Sequence, residues 1–409
     1  MKRRSLISGI FTAGAVIMSS LSAAHADDIT FWVHSPIARS ADAPIFNAVR
    51  EFEAATGHKV DVQTIDNIGM GRKLFVTMSS GAGPDVVALD IAWIGGLADA
   101  GVLADITDRA DAIKEEFLPG PMSSGSFLGR QYALPLYTNN VGMFVNDDML
   151  AAAGIDKVPT NWDEFKAALL AMTDKEKGTF GLAFGSGGVG AFLGTSFIWQ
   201  NGGEIIDSEG NVRINEPEAV EAFQFLADLH LKHGALPPTI HTGLSWDEVN
   251  TPFLTKTAGF LLSGDWAYWA LKDSDVNWSV HPLPVGKQAA AVIGGYDLGI
   301  NVNTSSPDAS WELVRWLTGE GNVDLMNAYG RLSPRVEAAA PENLAQLAAH
   351  LQPFMEQAAV GRARPVVPAW REISDEIIAT AWDKMLRGTS AQDALDEAAA
   401  TMKARLGQQ

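Results

Sequence analysis

The chain has 409 residues, of which 47% are hydrophobic, and its formal net charge is −19 at pH 7. This length allows two or three domains with sizeable cores, and the hydrophobic content excludes an intrinsically disordered chain. The acidic balance argues against nucleic acid and anionic membrane surfaces as partners. The sequence contains no Cys, which excludes disulfides and lipid anchoring through an N-terminal Cys, so stability has to come from the core.

The first 26 residues are typical of a secretory signal peptide. Lys2-Arg3-Arg4 forms a basic start, residues 6–21 are mostly apolar or small, and Ala24-His25-Ala26 matches a small-x-small cleavage site. We predict cleavage near Ala26 and export to a bacterial periplasm by the general secretory route, while the paired arginines leave the twin-arginine route open. No later window approaches ~20 uninterrupted apolar residues, so no spanning helix is predicted.

Residues 29–89 alternate between strand-like and helix-like patterns. The predicted order is strand 29–33, helix 43–55, strand 60–65, helix 71–80 and strand 85–89. Gly57 is placed to end the first helix as its C′ residue. The third strand is almost entirely apolar, as expected of a parallel strand that is covered on both faces. This succession predicts a doubly wound α/β domain.

The rest of the chain mixes further strands with more helix. Residues 133–140 are extended and lead into a strand at 141–145, and Thr160 is the predicted N-cap of a helix. Further predictions are a strand and Gly-rich loop within 178–190, helices at 192–200 and 217–233, strands at 258–263 and 291–302, and mostly helix after Asp308.

Two motifs suggest chemistry, and each has a simpler interpretation that we favour. Residues 185–190, GSGGVG, match a dinucleotide-binding pattern, but a flexible Gly-rich loop explains them better at this position in the chain. His230 and His233 are spaced for a metal site, but a solvated helix end explains them better. We predict no catalytic residue, no metal and no cofactor, although a pair of carboxylates for glycoside hydrolysis stays open.

Aromatic residues indicate a ligand more clearly. Trp32 lies at the end of the first predicted strand, and Trp93 and Trp266 each follow a later one. Open α/β sheets bind ligands beyond the C-terminal ends of their strands. Sugar rings pack on such aromatic faces, although core packing is an equal alternative for each single Trp. In the motif GDWAYW (264–269), we predict Asp265 as the N-cap of a helix, Trp266 as the ligand platform and Trp269 as core, with Tyr268 undecided.

Nine segments, in order, carry a resemblance to a known family. They are FEAATGHKVDV (52–62), SSGAGPDVVALD (79–90), ALPLYTNNVGMFVNDDML (133–150), VPTNWDEF (158–165), WQNGGEIID (199–207), GDWAYW (264–269), GGYDLGIN (294–301), GRLSPR (330–335) and ARPVVPAWREIS (363–374). The chain resembles bacterial extracellular solute-binding proteins (family 1 type), the sugar-binding receptors of ABC importers.

The resemblance implies an α/β fold of two lobes, the type II-like periplasmic-binding-protein fold, with each lobe a sheet flanked by helices and the ligand in the interlobe cleft. The implied N-terminal lobe comprises residues 27–136 plus 264–304, and the C-terminal lobe residues 137–263 plus 305–409. Crossings between the lobes are expected near residues 135–140, 262–264 and 301–305.

The resemblance also implies a function and a binding site. Ligand contact is implied for Asp90, Tyr137, Asn139, Trp266, Gly295, Tyr296 and Arg364, and in a second group for Trp32, His34, Trp199, Arg331 and Trp370. Asn139 stands where relatives often have an acidic residue, and Tyr296 where they often have Trp, so the ligand's identity stays open.

The implied role is a monomeric periplasmic receptor that captures a sugar, such as a small trehalose-like or maltose-like oligosaccharide or a glycoside. The receptor would then deliver this sugar to the permease subunits of an ABC importer. The alternatives are a receptor of the same fold for a polyamine, an amino-acid derivative or an anion, or an exported carbohydrate-active enzyme.

Overall fold

The structure is a computed structural model that describes residues 26–34, 37–38, 40–65, 70–242 and 245–408. Residues 1–25, which hold almost all of the predicted signal peptide, lie outside the described residues. The strands in the described part are β1 Asp28–His34, β2 Lys59–Ile65, β3 Val86–Asp90, β4 Ser126–Phe127, β5 Arg130–Gln131, β6 Ala133–Asn146, β7 Phe180–Ala183, β8 Ala258–Gly264, β9 Trp278–His281, β10 Ala291–Ile300 and β11 Gly361–Arg362.

The α-helices of the described part surround these strands. They are α1 Pro44–Thr56, α2 Met70–Ser79, α3 Ile94–Asp99, α4 Thr107–Asp111, α5 Pro119–Ser124, α6 Asp147–Ala152, α7 Trp162–Met172, α8 Gly187–Gln200, α9 Pro217–Leu231, α10 Trp246–Leu254, α11 Tyr268–Leu271, α12 Pro307–Thr318, α13 Asn322–Tyr329, α14 Pro341–Leu344, α15 Gln352–Ala358, α16 Trp370–Glu372, α17 Ala379–Leu386 and α18 Ala391–Arg405. A π-helical stretch, Ile373–Ile378, joins α16 to α17.

The predicted doubly wound start of the chain is confirmed. The strand β1 pairs in parallel with β2 on one side and with β3 on the other. The helix α1 buries Ile45, Val49 and Phe52 on one face, as its spacing predicts. It ends at Gly57, whose φ of 84° lies in the left-handed region and whose N–H bonds the Glu53 carbonyl, so the predicted C′ glycine is also confirmed.

The long strand β6 joins two parts of the molecule. Its 14 residues are all buried, and at about 3.3 Å per residue they span about 45 Å. The first half of β6 pairs with β10, which also pairs with β3. The second half pairs with β8 and β9. One continuous strand therefore runs from the first sheet region into the second.

Buried apolar side chains form separate cores on the two sides of this passage. We define the N-terminal lobe by the two cores around β1, β3 and α12, and the C-terminal lobe by the larger core around β7, β8 and α8. The buried side chains of β6 belong to an N-terminal core up to Tyr137 and to the C-terminal core from Val141 onward. The strand β10 changes core between Val292 and Tyr296.

The predicted lobe boundaries stay a prediction, but the cores place two segments differently. Ala267, Leu271 and Leu283 lie in the core of the C-terminal lobe, although residues 264–304 were expected in the N-terminal lobe. Residues 309–317 of α12 contribute to an N-terminal core. The side chains change core within the expected crossing at 135–140, but not at 262–264. Sequence patterns do not show which sheet a strand joins, because pairing is set by distant residues.

Two helix starts differ from the predictions for local reasons. The N-cap of α7 is Asn161, not Thr160, because the Asn161 side chain accepts the Glu164 N–H while Thr160 donates to the Glu164 carboxylate. The predicted Gly-rich loop is in part the first turn of α8, where Gly187 donates its N–H to Asp383. Of the helices described, none is long and apolar enough to cross a membrane.

Candidate functional site

Three rings from different strands stack at the inner end of the N-terminal lobe. His34 ends β1, while Tyr137 and Tyr296 are opposite each other in the β6–β10 pairing. The His34 and Tyr296 rings are 3.6 Å apart and nearly parallel, and the two tyrosine rings are 5.5 Å apart. The Tyr137 hydroxyl and His34 Nε2 lie 3.0 Å apart in a hydrogen bond. We name these three residues the ring stack.

Burial sets the protonation of the ring stack. Desolvation, with a further contribution from the nearby Arg331 charge, lowers the pKa of His34 to about 3. Burial also raises the pKa of Tyr137 above its usual range. Both side chains are therefore neutral at neutral pH, and they serve as a fixed hydrogen-bonded surface.

Close contacts leave no room for a side chain at Gly294 or Gly295. Gly295 has a φ of +139°, and a Cβ there would lie 2.3 Å from the Tyr137 carbonyl oxygen. A Cβ at Gly294 would lie 2.5 Å from Oδ1 of Asn139. Asn139 is buried, and this oxygen has no hydrogen-bond partner among the described residues. The amide therefore sits against Gly294, with an acceptor that no described residue uses.

A buried ion pair lies beside the ring stack. Arg331, just after α13, places Nη1 2.7 Å from Oδ1 of Asp265, the residue that follows β8. The Asp265 side chain is 0% exposed and that of Arg331 is 9% exposed. The Arg331 guanidinium also lies 5.7 Å from the Tyr137 ring centre. Burial raises the pKa of Asp265, and the Arg331 charge opposes this shift.

A second ion pair lies at the end of β3. Arg364 Nη2 is 3.0 Å from Oδ1 of Asp90, and the same oxygen accepts the Ala92 N–H at 2.8 Å. The Arg364 guanidinium lies 5.3 Å from the ring centre of Phe192 on α8. Nε of Arg364 is buried without a partner among the described residues.

The C-terminal lobe presents three rings near Arg364, which we name the aromatic cluster: Phe192, Trp246 and Trp266. The Trp246 and Trp266 rings are 4.7 Å apart at a steep angle, and Phe192 lies 6.0 to 6.3 Å from both. Trp266 is partly exposed, and its Nε1 has no hydrogen-bond partner in the described part of the chain. A Cβ at Gly264 would lie 2.0 Å from the Trp266 ring, so the indole folds back over the strand end.

The motif GDWAYW differs from its prediction at two positions. Asp265 does not cap a helix: it is the first residue of a 3₁₀ turn, and its carboxylate binds Arg331 instead. Trp269, expected in the core, is 46% exposed, because α11 is only four residues long and turns this side chain outward. Tyr268, left undecided, stacks on His350 with 3.6 Å between ring centres.

Among the other Trp residues singled out from the sequence, Trp93 meets the Tyr296 ring edge to face, with 6.2 Å between ring centres. Trp32, Trp199 and Trp370 lie away from these contacts. Trp32 is buried in an N-terminal core, and its Nε1 donates to Gln63. Trp199 and Trp370 are each 2% exposed and belong to the core of the C-terminal lobe. These positions favour packing roles, and ligand contact by the three residues stays a prediction.

Sequence reasoning missed three side chains that adjoin the site. Phe192 and Trp246 complete the aromatic cluster, yet Phe192 looks like ordinary core in its apolar helix. Trp246 follows Ser245, which forms a capping box with Glu248, so a signal for a helix start was present. Asp375 lies in the π-helical stretch, with Oδ1 3.7 Å from where a Cβ of Gly188 would stand. Only the folded chain brings these positions together.

Comparisons with known proteins place this architecture in a family. The family described as bacterial extracellular solute-binding protein matches residues 34–324. The chain belongs to this family. A binding protein of Brucella abortus is 26% identical to this solute-binding protein over 96% of this chain and 97% of that one.

Two solved structures extend the likeness. Maltose-bound MalE3 of T. maritima is 26% identical with a TM-score of 0.78, and the match covers 93% of this chain and 100% of that one. The cyclic α-maltosyl-1,6-maltose binding protein of Arthrobacter globiformis is 25% identical with a TM-score of 0.81, covering 93% and 99%. The expected two-lobed α/β fold is confirmed. Because the family is extracellular, this solute-binding protein is exported.

Proposed function

We propose that the protein captures a neutral sugar, a small oligosaccharide or a glycoside of the maltose or trehalose type, and delivers it to the membrane subunits of an ABC importer. The observation that carries this proposal is the internal pairing of the charges at the site. Arg331 is bonded to Asp265, and Arg364 is bonded to Asp90. Two relatives whose names include maltose or a maltosyl sugar support the same class of ligand.

The paired charges disfavour the charged ligands among the alternatives. An anion would have to take Arg331 or Arg364 away from its carboxylate partner, and a polyamine would have to take the carboxylate. Asp375, a further carboxyl near the site, is partly desolvated by the surrounding protein. This burial raises its pKa and weakens its preference for the charged form. A neutral polyol leaves both ion pairs intact.

The aromatic cluster supplies what a sugar ring needs. The partly exposed Trp266 offers an apolar face to pyranose C–H groups, and Trp246 and Phe192 hold that indole in place. Polar atoms that have no partner among the described residues, such as Trp266 Nε1 and Asn139 Oδ1, suit the donors and acceptors of sugar hydroxyls. We propose direct ligand contact for Asp90, Asn139, Trp266, Tyr296 and Arg364.

Binding then couples to a change in lobe separation. A ligand that touches both lobes binds the closed form more tightly and shifts the population toward it. We propose that the chain passes from one lobe to the other at residues 138–140, 293–295 and 330–331. The change from one hydrophobic core to the other at these positions supports this proposal. The protein would act as a periplasmic monomer after cleavage near Ala26.

A thermal-shift screen tests this function. The protein is heated with maltose, trehalose, chito-oligosaccharides, polyols, spermidine, amino acids and organic acids. We expect a neutral sugar to raise the melting temperature, since a ligand at 100 times its Kd stabilises the folded state by about 2.7 kcal/mol. Stabilisation by spermidine or an organic acid alone would refute the sugar proposal. Recovery of the intact sugar after long incubation is expected, whereas its hydrolysis would indicate an enzyme.

A further inference from the structure

We propose that residues 363–368 form an interlobe strap, which binds both lobes and favours the closed arrangement before any ligand arrives. The strap follows β11, which pairs with the start of β10, and it precedes α16. Ala363 packs on an N-terminal core, whereas Val367 packs on the core of the C-terminal lobe. This inference goes beyond the proposed function, because it does not depend on which ligand the cleft takes.

The strap lies directly on the backbone of α3 in the N-terminal lobe. A Cβ at Gly95 would lie 3.0 Å from the Val367 carbonyl oxygen and 3.1 Å from its carbon. A Cβ at Gly96 would lie 3.0 Å from the Pro368 carbonyl oxygen. These distances are shorter than ordinary van der Waals contact, so the two glycines allow an approach that any other residue would hinder. Because backbone packs directly on backbone, this contact requires the strap to lie in this position on α3.

Arg364 extends the strap's contacts to both sides of the cleft. Its guanidinium bonds Asp90 at the end of β3 in the N-terminal lobe. The same guanidinium lies over Phe192, which packs against the core of the C-terminal lobe. Separating the lobes therefore has to break the ion pair with Asp90 or the cation–π contact with Phe192. We assign Arg364 as a positioning residue for closure, in addition to its proposed contact with ligand.

The strap's own composition supports a stiff bridge. Pro365 and Pro368 fix the backbone φ at two of its six positions. A segment that is already restricted loses little conformational entropy when it docks on α3. Most of the favourable free energy of docking therefore remains to hold the lobes together.

The ion pair is partly shielded from water, which sets the size of its effect. The side chains of Asp90 and Arg364 are 27% and 12% exposed, so the pair is stronger than a fully exposed one and weaker than a buried one. We expect its loss to lower the ratio of closed to open molecules by about fivefold. The affinity for any ligand that prefers the closed form falls by up to the same factor.

Lobe separation in the absence of ligand tests the strap. The chain has no Cys, so A112C and A167C introduce a unique pair of dye sites on exposed residues of the two lobes. Single-molecule energy transfer then reports the closed fraction. We expect Arg364→Gln to reduce the ratio of closed to open molecules about fivefold, and Arg364→Lys to restore part of this ratio because the charge is kept.

A change in α3 makes the result independent of Arg364. Gly95→Ala should also reduce the closed fraction, although alanine favours helix by itself. Gly321→Ala is the matched control, because a Cβ there would meet no described atom within 4 Å. The double variant Asp90→Asn/Arg364→Gln should open the lobes no further than either single change. Unchanged closed fractions in both Arg364→Gln and Gly95→Ala would overturn the strap. This measurement uses no ligand, so its failure is separate from a failed sugar screen.

Discussion

The two lobes present different surfaces toward each other. On the N-terminal side, the ring stack is buried, and its His34 and Tyr137 are hydrogen-bonded to each other. On the C-terminal side, the rings of the aromatic cluster meet at steep angles. Trp266 is partly exposed there, and its Nε1 has no partner among the residues that the structure describes. The contrast indicates different roles. The first surface stabilises the fold near the passage between the lobes and offers a ligand only the Tyr296 ring, whereas the second keeps an aromatic face available for a ligand.

The buried ion pair beside the ring stack should give the largest effect. Arg331→Met leaves the Asp265 carboxylate buried and unpaired, so we expect a loss of about 3 kcal/mol or more in unfolding free energy. The double variant Asp265→Asn/Arg331→Met should recover part of this loss, because no buried charge remains. Urea unfolding midpoints measure both. A single variant as stable as the parent protein would show that this pair is not shielded from water.

Trp266 should matter for binding much more than for stability. Trp266→Ala removes the proposed platform and should weaken binding of the sugar by about 2 kcal/mol, or about 30-fold in Kd. Trp269→Ala, three residues further and already 46% exposed, is the matched control and should bind normally. Calorimetric titration decides between them. Equal losses of sugar affinity in the two variants would show that Trp266 is not the specific platform for the sugar.

A buried carboxyl under the N-terminal surface should make stability depend on pH. Burial raises the pKa of Asp297 to about 8. Its Oδ2 lies 2.9 Å from Ser124 Oγ, which is 2.6 Å from the Pro121 carbonyl oxygen. A hydroxyl has one proton, so this geometry fits a protonated Asp297 that donates to Ser124, which in turn donates to Pro121.

The sign of this pH dependence follows from the raised pKa. An unfolded Asp ionises near pH 4, so the stability that Asp297 contributes is complete below that pH and is lost as pH rises through about 8. The slope from this one proton reaches about 1.4 kcal/mol per pH unit. Asp297→Asn should remove that slope, measured as unfolding free energy from pH 5 to 9. An identical slope in the variant would mean that Asp297 is ionised in the folded protein.

The smallest effect should come from the hydroxyl within the ring stack. Tyr137→Phe removes the hydrogen bond to His34 and should lower the unfolding free energy by about 1 kcal/mol. Tyr132→Phe serves as the control, because its hydroxyl bonds no residue that the structure describes. Thermal melting of both variants checks the difference. A loss in the control as large as in Tyr137→Phe would point to ring packing rather than the hydrogen bond.

Local patterns predicted the elements of this fold better than their assembly. The parallel start of the chain and the end of α1 at Gly57 follow from apolar spacing and backbone sterics. Asp265 was misassigned because a buried Arg331, 66 residues away, competes with the helix cap. Phe192 and Trp246 were missed because their contacts with Trp266 are long-range. The predicted site residues came from family resemblance, and spacing alone would not have found the ring stack.

We expect a neutral sugar to bind between the lobes against the Trp266 indole, and a structure with bound ligand is the decisive measurement. Crystals grown with the sugar that stabilises the protein most should show a sugar ring on the Trp266 indole, with the ion pairs of Arg331 and Arg364 intact. A charged ligand bonded to either arginine, or a sugar bound outside the cleft, would contradict the account.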